Sequence, residues 1–445
     1  MFAEREGPAA GKPVVGRSAR CATIDGVTDI LDDLQWRGLL QDSTDLDELR
    51  KHLAEGPVTF YVGFDPTAPS LQVGNLVQVL TARRLQQAGN IPVLLVGGAT
   101  GLIGDPKAEG ERSLNSEETV AGWVDKIRRQ VEPFFAFEGA HAARMVNNLD
   151  WTSPLSAIEF LRDVGKHFPV NQMLAREVVK ARLESGISFT EFAYQILQSH
   201  DFHQLHERYG VTLQHGGSDQ WGNIIAGIDF NRRKGVRGVH AFTTPLITRA
   251  DGTKFGKSAE GMSVWMDPSM TSAYAFYQFW FNAADADIVN YLKVFSFRTR
   301  AEIEELARET AERPFARAGQ KALAEELTTL LHGKDECEQV ITASQALFGR
   351  GALTDLAPST LRSALAEAGL VEVDELPSVA VLFKESGLAA SLGEARRAVT
   401  EGGAYVNNER VTDADAPVSA DLLLHGKYLV LRRGKKTIAG AELLK

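Results

Sequence analysis

From about residue 58 the chain alternates short β-rich apolar runs with glycine loops and helical stretches. "VTFYVGFDP" leads into a helix predicted over 75–88, and "IPVLLVGGATGLIGDP" follows it. "VTLQHGGSDQWGN" then runs into the apolar "IIAGIDF", and "TPLITRADGTKFGKS" closes the series. Strands alternating with helices predict a doubly wound parallel sheet with helices on both faces, binding ligands at the carboxyl ends of its strands. All the glycine loops fall at those ends.

The pattern changes at about 270. Up to 350 it is helical, as in "AEIEELARETAERPFARAGQKALAEELTTLLHG", with no strand signal. Residues 351–376, with "TDLAPST" and "EVDELPS", read as a linker. From 377 to 445 a small α+β unit is predicted: "SLGEARRAVTEGG" is a helix ending at glycine, and "AYVNNERV" is a hairpin around Asn-Asn. Residues 1–26, rich in Gly, Ala, Pro and Arg, read as a flexible extension ahead of an α/β domain at 27–269.

Composition narrows the class. With 445 residues, 44% apolar and 24% charged, the chain can bury ordinary cores in two or three domains. No run approaches the roughly 18 apolar residues of a membrane span, and no signal peptide is expected. Cys21 and Cys337 make no disulfide framework, so a reducing cytoplasm is the expected home. The net charge of −10 argues against overall attraction to nucleic acid, but charge is uneven. From Glu375 onward ten Lys plus Arg face nine Asp plus Glu, leaving that stretch +1 and the rest −11. The tail carries "RRGKK" at 432–436, and "RRKGVR" lies at 232–237.

Three stretches bear on chemistry. "GGATGLIGDPK" at 97–107 is glycine-rich after a strand yet matches neither the P-loop nor the dinucleotide fingerprint. Its Asp105 is the more telling residue, a carboxylate facing the cleft. "ADGTKFGKS" at 250–258 sets Lys254 and Lys257 three apart between glycines, which suits charge stabilisation on a polyphosphate. "SHDFHQLH" spaces His200, His203 and His206 at i, i+3, i+6, a spacing that drifts around a helix, and no metal site is expected there.

Taken in order, "YVGFDPTAPSLQVGN", "GGATGLIGDP", "VNNLDW", "ISFTEFAYQILQSHD", "GGSDQWGN" and "DGTKFGKS" resemble the bacterial tyrosyl-tRNA synthetases, class I aminoacyl-tRNA synthetases. The likeness runs from about 29 to 350, and the tail from 377 resembles that family's small RNA-binding domain. It implies a Rossmann-like catalytic domain, a helical domain and a small α+β RNA-binding domain. The implied activity attaches L-tyrosine to tRNA(Tyr) through a tyrosyl-adenylate, using Mg²⁺-bound ATP and holding no protein-bound metal. The family also implies a homodimer in contact near "FLRDVGKHFPVNQM".

By this resemblance Tyr61 and Asp201 bind the phenol oxygen, while Asp105, Tyr194 and Gln198 hold the ammonium group. Gly217, Asp219 and Gln220 meet the ribose and the reacting carboxylate. Gly63 and Asp65 line the adenylate, and Gly74 and Ser258 belong to the same ATP site. Thr67, Gln72, Asn75, Arg112, Lys254 and Lys257 face the leaving pyrophosphate, with Lys107 a further candidate. Lys384, Arg396, Arg397, Arg432, Arg433, Lys435 and Lys436 are the expected tRNA contacts.

The sequence departs from the family at one signature. Where the family carries two histidines at the start of the helix after the first strand, this chain has Gln72 and Asn75. Both amides donate hydrogen bonds, but neither carries charge. Two other readings therefore stand beside the synthetase: a slower or inhibitor-resistant paralogue, and a non-catalytic RNA-binding protein on the same fold. Intact "KFGKS" and "GGSDQ", with Gln198 and Asp201, argue against the second.

Overall fold

The computed structural model describes residues 29–106, 114–253, 255–257, 261–434 and 437–444. The expected extension at 1–26 and the candidates Lys107, Arg112, Lys254, Ser258, Lys435 and Lys436 lie outside the described residues.

A five-stranded sheet organises the first part of the chain. Its strands are β1 (Thr59–Phe64), β2 (Ile91–Val96), β3 (Arg144–Asn147), β4 (Leu213–Gly217) and β5 (His240–Thr244). They lie in the order β3-β2-β1-β4-β5, all parallel. Consecutive strands run outward from β1 to β2 and β3, and the chain then returns to the other side of β1. The crevice at the carboxyl ends of β1 and β4 is therefore the topological switch point, where a doubly wound sheet opens to ligands. β2, with the burial of a strand covered on both faces, is an unbroken apolar run, "IPVLLV". The last strand ends at Thr244, upstream of most of "TPLITRADGTKFGKS", because Pro245 cannot continue the ladder.

The helix predicted over 75–88 begins with a 3₁₀ turn, Val73–Asn75, and continues as Leu76–Gln87. The segment at 270–350 forms helices Ala273–Phe281, Asp285–Phe295, Arg300–Glu312, Ala318–His332 and Lys334–Leu347. Arg84 and Arg37 bind this region to the sheet domain: both donate to the Ser296 carbonyl, at 2.6 and 3.0 Å.

Residues 351–376 are not a linker. Pro358–Gly369 is a helix whose Leu361, Ala364 and Leu365 are buried in the main core. Pro358 opens it at the first helical position, where its missing N–H is no loss. β6 (Leu370–Val373) then pairs parallel with β10 (Thr437–Leu443). With β7 (Ala404–Val406), β8 (Glu409–Arg410) and β9 (Tyr428–Arg433) they form a second sheet, ordered β6-β10-β9-β7-β8. The hairpin turns at Asn407 and Asn408, with φ of 47° and 67°, as two left-handed residues in a tight turn require.

Candidate active site

The floor of the crevice belongs to β1 and the Phe189–Tyr209 helix. Tyr61, in the middle of β1, is 1% exposed, and its ring lies 5.3 Å from that of Phe202. Tyr194, Gln198 and Asp201 fall at i, i+4 and i+7 on the helix, one stripe facing the sheet. Ser188 caps this helix by accepting from the Glu191 N–H. Among the described residues, Tyr61 Oη and Gln198 Oε1 are buried with no hydrogen-bond partner. Such atoms are what a polar ligand would satisfy.

Asp201 is held from behind. Trp151 Nε1 donates to its Oδ1 at 2.7 Å, and Asn148 Nδ2 donates to its Oδ2 at 2.9 Å. Burial nevertheless pushes its carboxyl up to about 7, with Asp65 adding to the rise and the two donors opposing it. Burial, and then Asp201, also push the Tyr61 phenol well above its usual value.

The other candidates gather at the mouth. Tyr194 Oη donates to Asp65 at 2.5 Å. Asp105 accepts from Gln220 Nε2 at 2.9 Å and from Asn223 Nδ2 at 3.2 Å. Burial raises its carboxyl, while these donors and the nearby Arg176 pull it down. Gly217 closes β4 where a side chain would meet Asp219 Oδ1 at 2.5 Å. Asp219 itself is exposed, and Gly63 lies exposed on β1.

The end of the crevice expected to face the pyrophosphate is built differently. Thr67, Gln72, Gly74, Asn75 and Lys257 are all exposed. Asn75 Oδ1 accepts from the Gln72 N–H at 2.9 Å, so the carbonyl side of that amide is occupied and Nδ2 is left to donate outward. Residues 263–266 stitch the lysine loop to this helix start. Val264 N–H donates to Gly256 at 3.0 Å, and its carbonyl accepts from Val73 N–H at 2.9 Å. A Cβ on Gly256 would lie 3.4 Å from Val73 Cγ1. Phe255 anchors the loop, its ring 5.2–5.7 Å from those of Phe279, Trp280, Tyr291 and Phe295.

Those expected RNA contacts that are among the described residues lie on the second sheet and its helices, and several are already paired. Arg396 reaches Asp415 and Arg433 reaches Glu394, at 2.9 and 2.8 Å. Arg432 stacks on Tyr405, 3.9 Å from the ring centre. Lys384 and Arg397 are exposed. In the histidine run, His203 Nδ1 meets Asn231 Oδ1 at 3.0 Å and His206 Nδ1 meets the Val211 carbonyl at 2.9 Å.

Sequence reasoning assigned no role to Thr100, Asn148, Trp151, Arg176 or Asn223. Asn148 and Trp151 sit in the quoted "VNNLDW", just beyond the end of β3.

Fold and site together define a class I aminoacyl-tRNA synthetase, and the family model described as "tRNA synthetases class I (W and Y)" matches residues 53–349. A second model, the "Tyrosine--tRNA ligase SYY-like C-terminal domain", matches 366–439. The tyrosine--tRNA ligase of Streptomyces coelicolor is 63% identical over 420 residues, covering 94% of this chain and 99% of that one. That of Thermobifida fusca is 58% identical over 434 residues, covering 94% and 100%. Among solved structures, a C-terminally truncated mitochondrial tyrosyl-tRNA synthetase from Aspergillus nidulans superposes with a TM-score of 0.65 at 30% identity, covering 72% of this chain and 95% of that one. The chain belongs to the bacterial tyrosyl-tRNA synthetases.

Proposed function

We propose specific roles for these residues in the ATP-dependent attachment of tyrosine to tRNA(Tyr), the reaction of this family. The observation that carries the reading is the buried Asp201 carboxylate near a Tyr61 hydroxyl with no partner. A phenol supplies both: its proton goes to Asp201, and its oxygen accepts from Tyr61. Phenylalanine leaves the Tyr61 hydroxyl unpaired and deprives the buried Asp201 carboxylate of a donor on the pocket side. For tyrosyl-tRNA synthetases as a class, discrimination against phenylalanine is known to be on the order of 10⁵.

Asp105, Tyr194 and Gln198 hold the ammonium group, which only donates. Gly217, Asp219 and Gln220 take the ribose and orient the tyrosine carboxylate, with Gly63, Asp65 and Gly74 along the adenylate. That carboxylate is already ionised at neutral pH and needs no general base. One of its oxygens attacks the α-phosphorus of ATP, and the bond to the bridging oxygen breaks, releasing pyrophosphate. A terminal hydroxyl of the tRNA then attacks the carbonyl carbon, and AMP leaves. Positioning and donors aimed at the pyrophosphate carry the first step. Thr67, Gln72, Asn75 and Lys257 supply them, together with Arg112, Lys254 and Ser258, and Mg²⁺ arrives with ATP as part of the substrate.

Around this centre we assign a catalytic domain up to 269, a helical domain to 350 and an RNA-binding unit whose sheet starts at β6. Lys384, Arg396, Arg397, Arg432, Arg433, Lys435 and Lys436 are proposed to meet tRNA. The enzyme acts as a homodimer in the cytoplasm. Support for the dimer comes from Ile158, Leu161, Val170 and Phe189, exposed by 71%, 54%, 59% and 70% around the expected contact segment. Among the described residues, no helix is long and apolar enough to cross a membrane.

The test is tyrosine-dependent exchange of pyrophosphate into ATP without tRNA, with phenylalanine and tryptophan as controls. Exchange with tyrosine alone is expected. Its absence, in folded protein that still binds tyrosine, would favour the non-catalytic reading. Sedimentation of the wild type and of Ile158→Asp should show a dimer and a monomer, respectively.

A further inference from the structure

The hydrogen bonds between the two ends of the amino-acid pocket form one continuous chain, with donors diverging from Asn148 and converging on Asp65. At the mouth, Tyr194 Oη donates to Asp65 Oδ2 at 2.5 Å, and Thr100 Oγ1 donates to Asp65 Oδ1 at 2.6 Å. At the floor, Asn148 Nδ2 donates to Asp201 at 2.9 Å, and the same nitrogen donates to Thr100 Oγ1 at 3.0 Å. The orientation of the Asn148 amide is fixed independently, because its Oδ1 accepts the Ala99 N–H at 2.7 Å, which its nitrogen could not do. Both amide hydrogens of Asn148 are then committed, and the Thr100 proton points to Asp65.

Resting on the reading of this pocket as a tyrosine site, we propose that Thr100 is a positioning residue that couples recognition of the phenol to recognition of the ammonium group. Through Asn148 it holds the carboxylate that receives the phenol proton. Through Asp65 it orients the acceptor that takes the proton of Tyr194. With that proton committed, Tyr194 Oη meets the substrate as an acceptor only, the polarity that an ammonium group requires.

The enclosure fits this role. Thr100 and Asn148 are 3% and 0% exposed, so water does not compete for their bonds. Gly97 leaves room for the Thr100–Asp65 contact: a Cβ there would lie 2.1 Å from Asp65 Oδ1 and 2.2 Å from Thr100 Oγ1. Gly98 does the same for the neighbouring loop, where a Cβ would meet Asn147 Oδ1 at 2.3 Å.

The experiment uses the full chain with Thr100→Val, Thr100→Ala and Thr100→Ser, and two half-ligands. Phenylalanine lacks the phenol hydroxyl, and 3-(4-hydroxyphenyl)propionate lacks the ammonium group. Thr100→Val is expected to weaken both about tenfold, the effect of losing a charge-assisted hydrogen bond. It should raise KM for tyrosine more than it lowers kcat for adenylate formation. Thr100→Ser should stay within about twofold of wild type, since it keeps the hydroxyl. If Thr100→Val does not fold, Thr100→Ala is read the same way. A loss confined to one half-ligand, or one that serine does not rescue, overturns the coupling. Wild-type exchange separates the two claims: without it the tyrosine-site reading itself falls, whereas normal exchange with unchanged half-ligand binding in Thr100→Val removes the coupling alone.

Discussion

The two ends of the crevice are made from different materials. At the tyrosine end the proposed recognising groups are buried or half-buried, and Asp201, 2% exposed, is braced by Trp151 and Asn148. At the phosphate end the groups stand on exposed loops and a helix start, and the two signature positions are neutral amides. The contrast follows the chemistry. Tyrosine is recognised in its ground state, and rigid, desolvated partners reject analogues that lack a group. Pyrophosphate charge develops only as the reaction proceeds, and donors there act by differential stabilisation.

Breaking the rigid end should have the largest effect. Asp201→Asn keeps the shape but turns an acceptor into an amide facing two committed donors. We expect kcat/KM for tyrosine to fall on the order of 10³-fold, with discrimination against phenylalanine narrowing by a similar factor. Unchanged discrimination in the exchange assay would move phenol recognition elsewhere. At the other end, Lys257→Ala should lower the rate of adenylate formation about 10²-fold and leave the tyrosine Kd within about twofold. Equal losses in both would contradict that assignment.

Titration sharpens the contrast without mutation. Burial raises the Asp201 carboxyl to about 7, so below that pH the empty pocket favours the protonated acid. A protonated Asp201 is a much poorer acceptor for the phenol O–H, and its own proton opposes the Trp151 and Asn148 donors. Tyrosine affinity should therefore be full above pH 7 and fall below it, approaching about tenfold per unit. Phenylalanine, with no proton to give, should show no such slope over the same range. Binding calorimetry from pH 5.5 to 8.5 reads both curves.

How much of this was legible in sequence differs between the two ends. The parallel sheet followed from apolar runs and glycine loops, and the motif residues of the phosphate end fall in short runs, such as 67–75 and 254–258, each readable by itself. The brace at the tyrosine end was not visible as such, because Asn148 and Asp201 are 53 positions apart and meet only through the strand order. Thr100 looked like part of a glycine turn. The misread linker is a different case. Leu361, Ala364 and Leu365 carry a helical i, i+3, i+4 signal between the quoted "TDLAPST" and "EVDELPS".

The smallest expected effect lies at the departure from the family signature. Gln72 is exposed at the start of the turn, where its backbone N–H is taken by Asn75, and we propose that its amide donates to the phosphates. A neutral donor there contributes roughly 0.5–1.5 kcal/mol, against 1.5–3 for a charged one. Gln72→His should therefore raise the rate of adenylate formation by at most about tenfold, and only where the imidazole is protonated. The gain should grow as pH falls through the histidine range, opposite in sign to the loss of tyrosine affinity at the other end. Assaying the first turnover at saturating tyrosine isolates it. The same variant decides the inhibitor-resistant reading: an adenylate analogue that binds Gln72→His and wild type equally removes it, leaving a synthetase whose phosphate end works through Lys257 and its neighbours with amide help.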